Sequence, residues 1–253
     1  MSSREMSEPT SNPFGGLMAE AMRHSRTEAQ TRYELDTLRA LLDCPAGGRI
    51  LDVPCGDGRL ALALAGKGYA VTGVDLTRTL LETARQAAAA RQLDVTFDER
   101  DMRDLPWREH FDAALCFWES FGYFDDAGNL AFARAIAAAL KPGGRFLLDT
   151  QIAETLFPRL GDRRDWVMLG DILALEERTY ELETGRLRLQ WSFRRGAEVE
   201  DAALRIRIYT YRELCALLTE AGFGAFEAYS FLSEAPFKPT AQRLLLAAVK
   251  SAD

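Results

Sequence analysis

Between Arg49 and Asp149 the sequence alternates short apolar runs with helical stretches, and this alternation restricts the fold more than any other feature. Arg49–Val53, Ala70–Asp75, Val95–Glu99, Phe111–Phe117 and Gly144–Asp149 read as strands. Arg59–Gly66, Arg78–Arg91 and Asn129–Leu140 read as the helices between them. Strands that are apolar throughout and joined by helices predict βαβ units, with a parallel sheet covered on both faces. A doubly wound α/β fold satisfies that pattern. The alternation breaks after Asp149. Strand-like runs from about Trp166 to Thr210, separated by Glu183-Thr-Gly-Arg186 and Arg195-Gly-Ala-Glu198, predict an antiparallel meander inserted in the α/β unit. Tyr211–Ala221 then resumes as a helix closed by Gly222. Phe226–Phe231 and Arg243–Val249 add a last hairpin on one edge, which completes a seven-stranded sheet whose last strand is antiparallel. Upstream, one helical stretch is expected from about Leu17 to Leu42, with Leu35, Leu38, Leu41 and Leu42 at helical spacing.

The first strand runs into Asp52-Val-Pro-Cys-Gly-Asp-Gly58 and opens a helix. Gly56 and Gly58 allow a sharp turn and let a ligand approach the backbone closely. The spacing Gly56-x-Gly58-x-x-Ala61 also satisfies the relaxed dinucleotide fingerprint, a weak signal on its own. Asp52 argues against a pyrophosphate, because a carboxylate before the turn repels an anion that seeks bare N–H groups at a helix start. A ligand with a cationic amine, such as S-adenosylmethionine, is attracted instead. Asp75, with Leu76 beside it, ends the second strand and suits the hydroxyls of a ribose. Asp101 follows the third strand, placed to accept from an adenine amino group, with Met102 packing on the ring. All three acids fall at carboxyl ends of successive strands, where this architecture binds ligands.

These motifs resemble the class I S-adenosylmethionine-dependent methyltransferases. The match runs from Ser25-Arg-Thr27 through RILDVPCGDGRLALALAGKGYAVTGVDLTRTLLETAR, DMRDLPW, FDAAL, SFGYF and LKPGGRFLLDT to YTYREL…AGF. The resemblance implies a Rossmann-like fold with S-adenosylmethionine as cofactor. It sets Asp52, Gly56 and Gly58 at the methionyl part, Asp75 at the ribose, Asp101 and Met102 at the adenine, and Arg26 near the cofactor carboxylate. Pro54 departs from the Gly or Ala that is frequent there, and stiffens the loop. The expected organisation is a flexible tail over 1–16, a helical lid over 17–45, a cofactor-binding core over 46–158, a β cap over 159–210 and a completing segment over 211–253.

Methyl transfer from a sulfonium rests mainly on alignment, and a general base is optional. Phe117 is expected against the cofactor. Trp118, Phe121 and Tyr123 are expected to form an aromatic wall, which favours a cationic sulfonium or amine. From the cap, Trp191 and Tyr209 are further candidates for the acceptor pocket, with Trp166 and Tyr180 as pocket-side or core residues. His24, Glu119 and Tyr123 are the candidates for catalysis; each also has a plain structural reading, as an exposed helical imidazole, a solvated carboxylate or a core ring. No Asn/Asp-Pro-Pro-Tyr motif follows the fourth strand.

Composition removes several alternatives. The 253 residues are 47% hydrophobic and 27% charged, as in an ordinary globular protein. The net charge of −7 comes from 31 basic and 38 acidic residues, and the ten Arg of 159–210 are balanced by ten acids there. Nucleic acid is therefore not an expected partner, and a small-molecule acceptor is. No run is long enough for a membrane span, and MSSREMSEPTSNPFGG has no apolar core of a secretory leader. Cys44, Cys55, Cys116 and Cys215 form no CxxC pair, so a cytoplasmic protein with reduced thiols and no metal is expected. The expected activity is methyl transfer to a nitrogen or oxygen of a small metabolite, with a homodimer through the β insertion as a further expectation. The alternatives are a protein or RNA methyltransferase, or a regulatory protein that binds the cofactor without turnover; an NAD-dependent reductase ranks last because of Asp52.

Overall fold

The computed structural model describes residues 14–161 and 164–252; the expected N-terminal tail lies outside them up to residue 13. The elements in chain order are α1 (Gly16–His24), α2 (Glu28–Leu42), β1 (Arg49–Asp52), α3 (Arg59–Ala65), β2 (Ala70–Asp75), α4 (Arg78–Ala90), β3 (Val95–Glu99), β4 (Phe111–Cys116), α5 (Asp126–Ala139) and β5 (Leu140–Thr150). The chain continues through α6 (Ala153–Leu156), β6 (Arg164–Leu169), β7 (Ile172–Glu181), β8 (Arg186–Arg195), β9 (Glu198–Arg207), α7 (Tyr211–Glu220), β10 (Phe223–Ser230) and β11 (Leu244–Lys250). Seven strands form one sheet in the order β10-β11-β5-β4-β1-β2-β3. β11 is antiparallel to both its neighbours, and the other pairs are parallel. This is the expected doubly wound Rossmann-like sheet. Strand order reverses between β4 and β1, so the crevice for a ligand opens at the carboxyl ends beside Asp52.

Apolar strands bury both sheet faces. Phe111, Phe132, Phe146 and Phe223 fill the side covered by α5 and α7. Leu38, Leu42, Leu64, Leu81 and Leu147 fill the side covered by α2, α3 and α4. The inserted meander β6-β7-β8-β9 forms a second, fully antiparallel sheet. Gly122 joins the two sheets: its carbonyl accepts from Arg207 N–H (2.8 Å). A side chain there, at φ +96°, would meet Arg207 O at 2.5 Å.

The single N-terminal helix expected from Leu17 to Leu42 is instead two. The break falls at Ser25-Arg26-Thr27, because Thr27 takes an extended backbone and its hydroxyl accepts from Gln30 N–H to start a new helix. The two helices have different attachments. α2 packs on the main sheet through Leu35, Leu38, Leu41 and Leu42. α1 packs on the cap through Leu17, Met18 and Ala21 against Ile172, Ala174, Phe193 and Ala202. Glu200 of β9 caps α1 by accepting from Leu17 N–H (2.8 Å), a carboxylate at the positive end of the helix dipole.

Gly58 starts α3 at φ +76°, and a Cβ there would lie 2.8 Å from Ala84 Cβ and 2.9 Å from Phe97. Gly58→Ala adds backbone strain to an overpacked contact, so about 1–3 kcal/mol of stability should be lost in urea unfolding. A midpoint unchanged from wild type would show that the loop relaxes without cost.

Candidate active site

A cavity of about 840 Å³ opens at the carboxyl ends of β1, β2 and β4. Its floor comes from the main sheet, and its roof from α1 and the cap. Ligand sites usually fall between roughly 300 and 1,000 Å³, so it has room for a cofactor and a small second molecule.

One half of the cavity is built by the loop after β1 and by the next strand end. Asp75 is nearly buried and holds the loop: its Oδ2 accepts from Gly56 N–H and its Oδ1 from Thr77 N–H, both at 2.8 Å. Leu76, Met102 and Phe117 line the same side of the cavity. Asp52 is 2% exposed, and its Oδ2 has no hydrogen-bond partner among the described residues. Burial pushes its carboxyl up to about 8, against the pull of the Arg59 guanidinium and with help from Asp75.

Across from Asp52 stands a group of donors. Arg26 and Arg243 each lie 4.8 Å from the Trp118 ring centroid, and Arg59 lies 5.6 Å from it. Arg59 pairs with the buried Glu34 at 2.5 Å, and Arg243 with Asp149 (3.0 Å) and Glu119 (3.2 Å). Arg26 Nε, Arg59 Nε and Nη2, and Trp118 Nε1 are buried donors without a hydrogen-bond partner among the described residues. Burial, and then the neighbouring Arg59, push the Arg26 guanidinium below its usual value. One end of the cavity thus holds an unsatisfied carboxylate oxygen and several unsatisfied donors. Leaving such groups unpaired costs about 1–3 kcal/mol each. The arrangement fits a zwitterionic α-amino acid moiety, with its amine at Asp52 and its carboxylate at Arg26, Arg59 and Trp118.

Several candidates lie elsewhere. Gly58 does not line the cavity; it is the turn residue of α3. Asp101 lines the cavity, with its carboxylate held by Arg103 (2.6 and 3.0 Å). Phe121 and Tyr209 belong to the core instead of the acceptor wall. Tyr209 OH donates to Asp126 (2.7 Å) and accepts from Asn129 (2.9 Å), which explains how a phenol is buried there. Trp166 is 70% exposed on the edge strand β6, and Tyr180 packs edge-on against Phe157. His24 lies outside the cavity, on the outer side of α1, with donor atoms of Glu20 and Asp171 within 4.8 Å; Glu20 is also paired with Arg195.

Trp118, Glu119, Tyr123 and Trp191 do line the cavity. Burial pushes the Tyr123 phenol up, so it stays neutral, and Phe14 packs on its ring at 5.7 Å. Trp191 is fixed by its indole N–H donating to Glu176 (2.8 Å). Met18 and Met22 of α1 with Leu189, Leu204 and Ile206 of the cap complete an apolar roof.

Sequence reasoning missed Arg59, Asp149, Gln151, Arg178 and Arg243. Asp149 carries the same signal as Asp52, an acid closing a buried strand. Arg243 has none, since it arrives from a loop far along the chain.

Residues 50–144 match the family model described as a methyltransferase domain. YqeM of Bacillus subtilis (strain 168), provisionally named a methyltransferase, is 32% identical over 151 residues, 57% of this chain and 58% of that protein. The chain spans about half the length of the curated relatives it matches. A solved S-adenosylmethionine-dependent methyltransferase from Clostridium acetobutylicum ATCC 824 superposes with a TM-score of 0.79 at 18% identity, covering 92% of this chain and 96% of that one. CalS10 of Micromonospora echinaspora, an amino pentose methyltransferase solved with S-adenosylmethionine bound, gives 0.67 at 23% identity, covering 95% and 99%. The fold is therefore that of these solved S-adenosylmethionine-dependent methyltransferases, and the central segment is similar to a methyltransferase domain.

Two buried carboxyls set a pH dependence. Asp52 is raised from 3.8 to about 8, and Asp149 from 3.8 to about 7, in each case first by burial. A raised acid favours the folded state while protonated, so the stability it contributes is full below about pH 4 and is lost as pH rises towards 8. Without ligand, the wild type should lose stability across that window, by up to about 1.4 kcal/mol per pH unit for each carboxyl. Asp52→Asn should flatten the curve in urea titrations at stepped pH. A curve parallel to wild type would remove Asp52 from this role.

Proposed function

We propose that the protein is an S-adenosylmethionine-dependent methyltransferase that transfers a methyl group by in-line displacement to a nitrogen or oxygen of a small molecule. The observation that carries this reading is the opposed pair of unsatisfied sets, Asp52 on one side and Arg26, Arg59 and Trp118 on the other. A pyrophosphate would satisfy the arginines and leave Asp52 unpaired, whereas a methionyl group satisfies both. When bound, the cofactor supplies a methyl group on a positively charged sulfur. Asp52, ionised on meeting an ammonium, would hold the amine. Asp75 keeps lone pairs for two ribose hydroxyls after holding the loop. Tyr123 and Phe117 give the cavity aromatic surface, favourable to a cation. The apolar roof from α1 and the cap excludes water and selects a small acceptor.

Two further parts of the reading concern the whole molecule. The exposed Trp166, Val167 and Met168 on edge strand β6 support pairing of two copies through the cap. The four cysteines are free, which accords with a reducing, cytoplasmic setting. No helix among the described residues is long and apolar enough to cross a membrane.

Isothermal titration tests the cofactor. S-adenosylmethionine should bind more tightly than NADH, and the reverse order would sink the proposal. Asp52→Ala should cost about 1.5–3 kcal/mol of cofactor affinity, roughly a ten- to 150-fold higher Kd. An unchanged Kd would place the amine elsewhere.

A further inference from the structure

One buried acceptor on the cavity wall has no use in holding the cofactor. Gln151 directly follows β5. It lines the main cavity together with a side niche of about 30 Å³, and Arg178 of the cap also borders both. Its Nε2 donates to Glu119 Oε1 (3.1 Å), and that oxygen also accepts from Arg243 Nη1 (3.2 Å). Arg243 Nε in turn faces Asp149 Oδ1 at 3.0 Å, an ion pair inside the core. A carboxylate can only accept, so Glu119 dictates which end of the amide faces it. Gln151 Oε1 is the end left over, buried and without a hydrogen-bond partner among the described residues.

The support behind this amide is stiff. Trp118 and Glu119 are successive left-handed residues, at φ +60° and +58°. Trp118 N–H is tied to Asp149 Oδ2 (2.9 Å). Strained backbone of this kind persists only where the surroundings over-determine it, and it concentrates at functional sites. Asp149, Arg243, Glu119 and Gln151 thus form one continuous chain from the core to the cavity wall.

We propose that Gln151 holds the methyl acceptor through a hydrogen bond from its N–H to Oε1, and that the acceptor is a primary or secondary amine. This rests on the methyltransferase reading above. The amide accepts a hydrogen bond but takes no proton. Glu119 is held by both Gln151 and Arg243, Tyr123 stays a neutral phenol, and His24 is outside the cavity. A hydroxyl nucleophile gains from a base that removes its proton, whereas a neutral amine needs none. With one N–H held by Oε1, the nitrogen lone pair is free to form the N–C bond. The C–S bond breaks, its electron pair stays on sulfur, and the product ammonium releases its proton to water.

The test supplies the purified protein with 13C-methyl-labelled S-adenosylmethionine and a small-molecule extract of its native cells. The carbon shift of the transferred methyl then tells N-methyl from O-methyl or C-methyl product. N-methyl product is expected. O-methyl product overturns the inference and leaves the methyltransferase reading standing, whereas C-methyl product also overturns the nitrogen-or-oxygen part of that reading. No transferred label overturns both. With the product known, Gln151→Leu should lower kcat/KM roughly tenfold, the worth of about one hydrogen bond. Its Kd for S-adenosylmethionine by calorimetry should stay within about twofold of wild type, and its Tm should fall little, since the lost Nε2–Glu119 hydrogen bond is offset by removal of a buried unpaired acceptor. Gln151→Asn, which keeps the amide, should recover part of the rate. Unchanged kcat/KM in Gln151→Leu overturns the assignment, as does a loss matched by an equal loss of cofactor affinity.

Discussion

A carboxylate oxygen at the end of β1 that no group among the described residues satisfies is the constraint on which the site depends. Asp52 is placed there by backbone alone: β1 sits between β2 and β4, and its last residue reaches the point where strand order reverses. Burial holds the acid protonated in the absence of a cation. A ligand bringing an ammonium therefore gains an interaction that water does not supply at that position. The same logic applies to the donors of Arg26, Arg59 and Trp118. The cavity brings together unsatisfied groups of both signs among the described residues.

The N-terminal segment gains meaning from its division. α1 rides on the cap, α2 on the main sheet, and Arg26 sits in the hinge between them. Its guanidinium lies over Trp118, so it links the roof of the cavity to the cofactor end. The acceptor half is bounded by elements distant in sequence: Met18 and Met22 from α1, Gln151 after β5, and Leu189, Trp191 and Leu204 from the cap.

Much of the cofactor half was legible in the sequence because its residues lie within a few positions of strand ends. Asp52, Asp75, Met102 and Phe117 are local to βαβ units, so strand periodicity alone aims them at one crevice. Aromatic residues were harder to place. Phe121, Tyr123, Trp191 and Tyr209 look alike as letters, yet two line the cavity and two fill the core or satisfy Asn129 and Asp126. Asp101 was sited correctly at its strand end, but its pairing with Arg103 depends on side-chain geometry that spacing does not encode.

By itself the sequence determined the sheet, the glycine turn and the inserted meander, since each follows from short-range periodicity and turn chemistry. Tertiary structure alone decided the break between α1 and α2 as a boundary between two packing partners. It also decided the chain of Asp149, Arg243, Glu119 and Gln151, whose members meet across as many as 124 positions. Hydrophobic pattern is a property of neighbours in sequence. Satisfaction of buried polar groups is a property of neighbours in space, and the choice of ligand rests on the groups left unsatisfied.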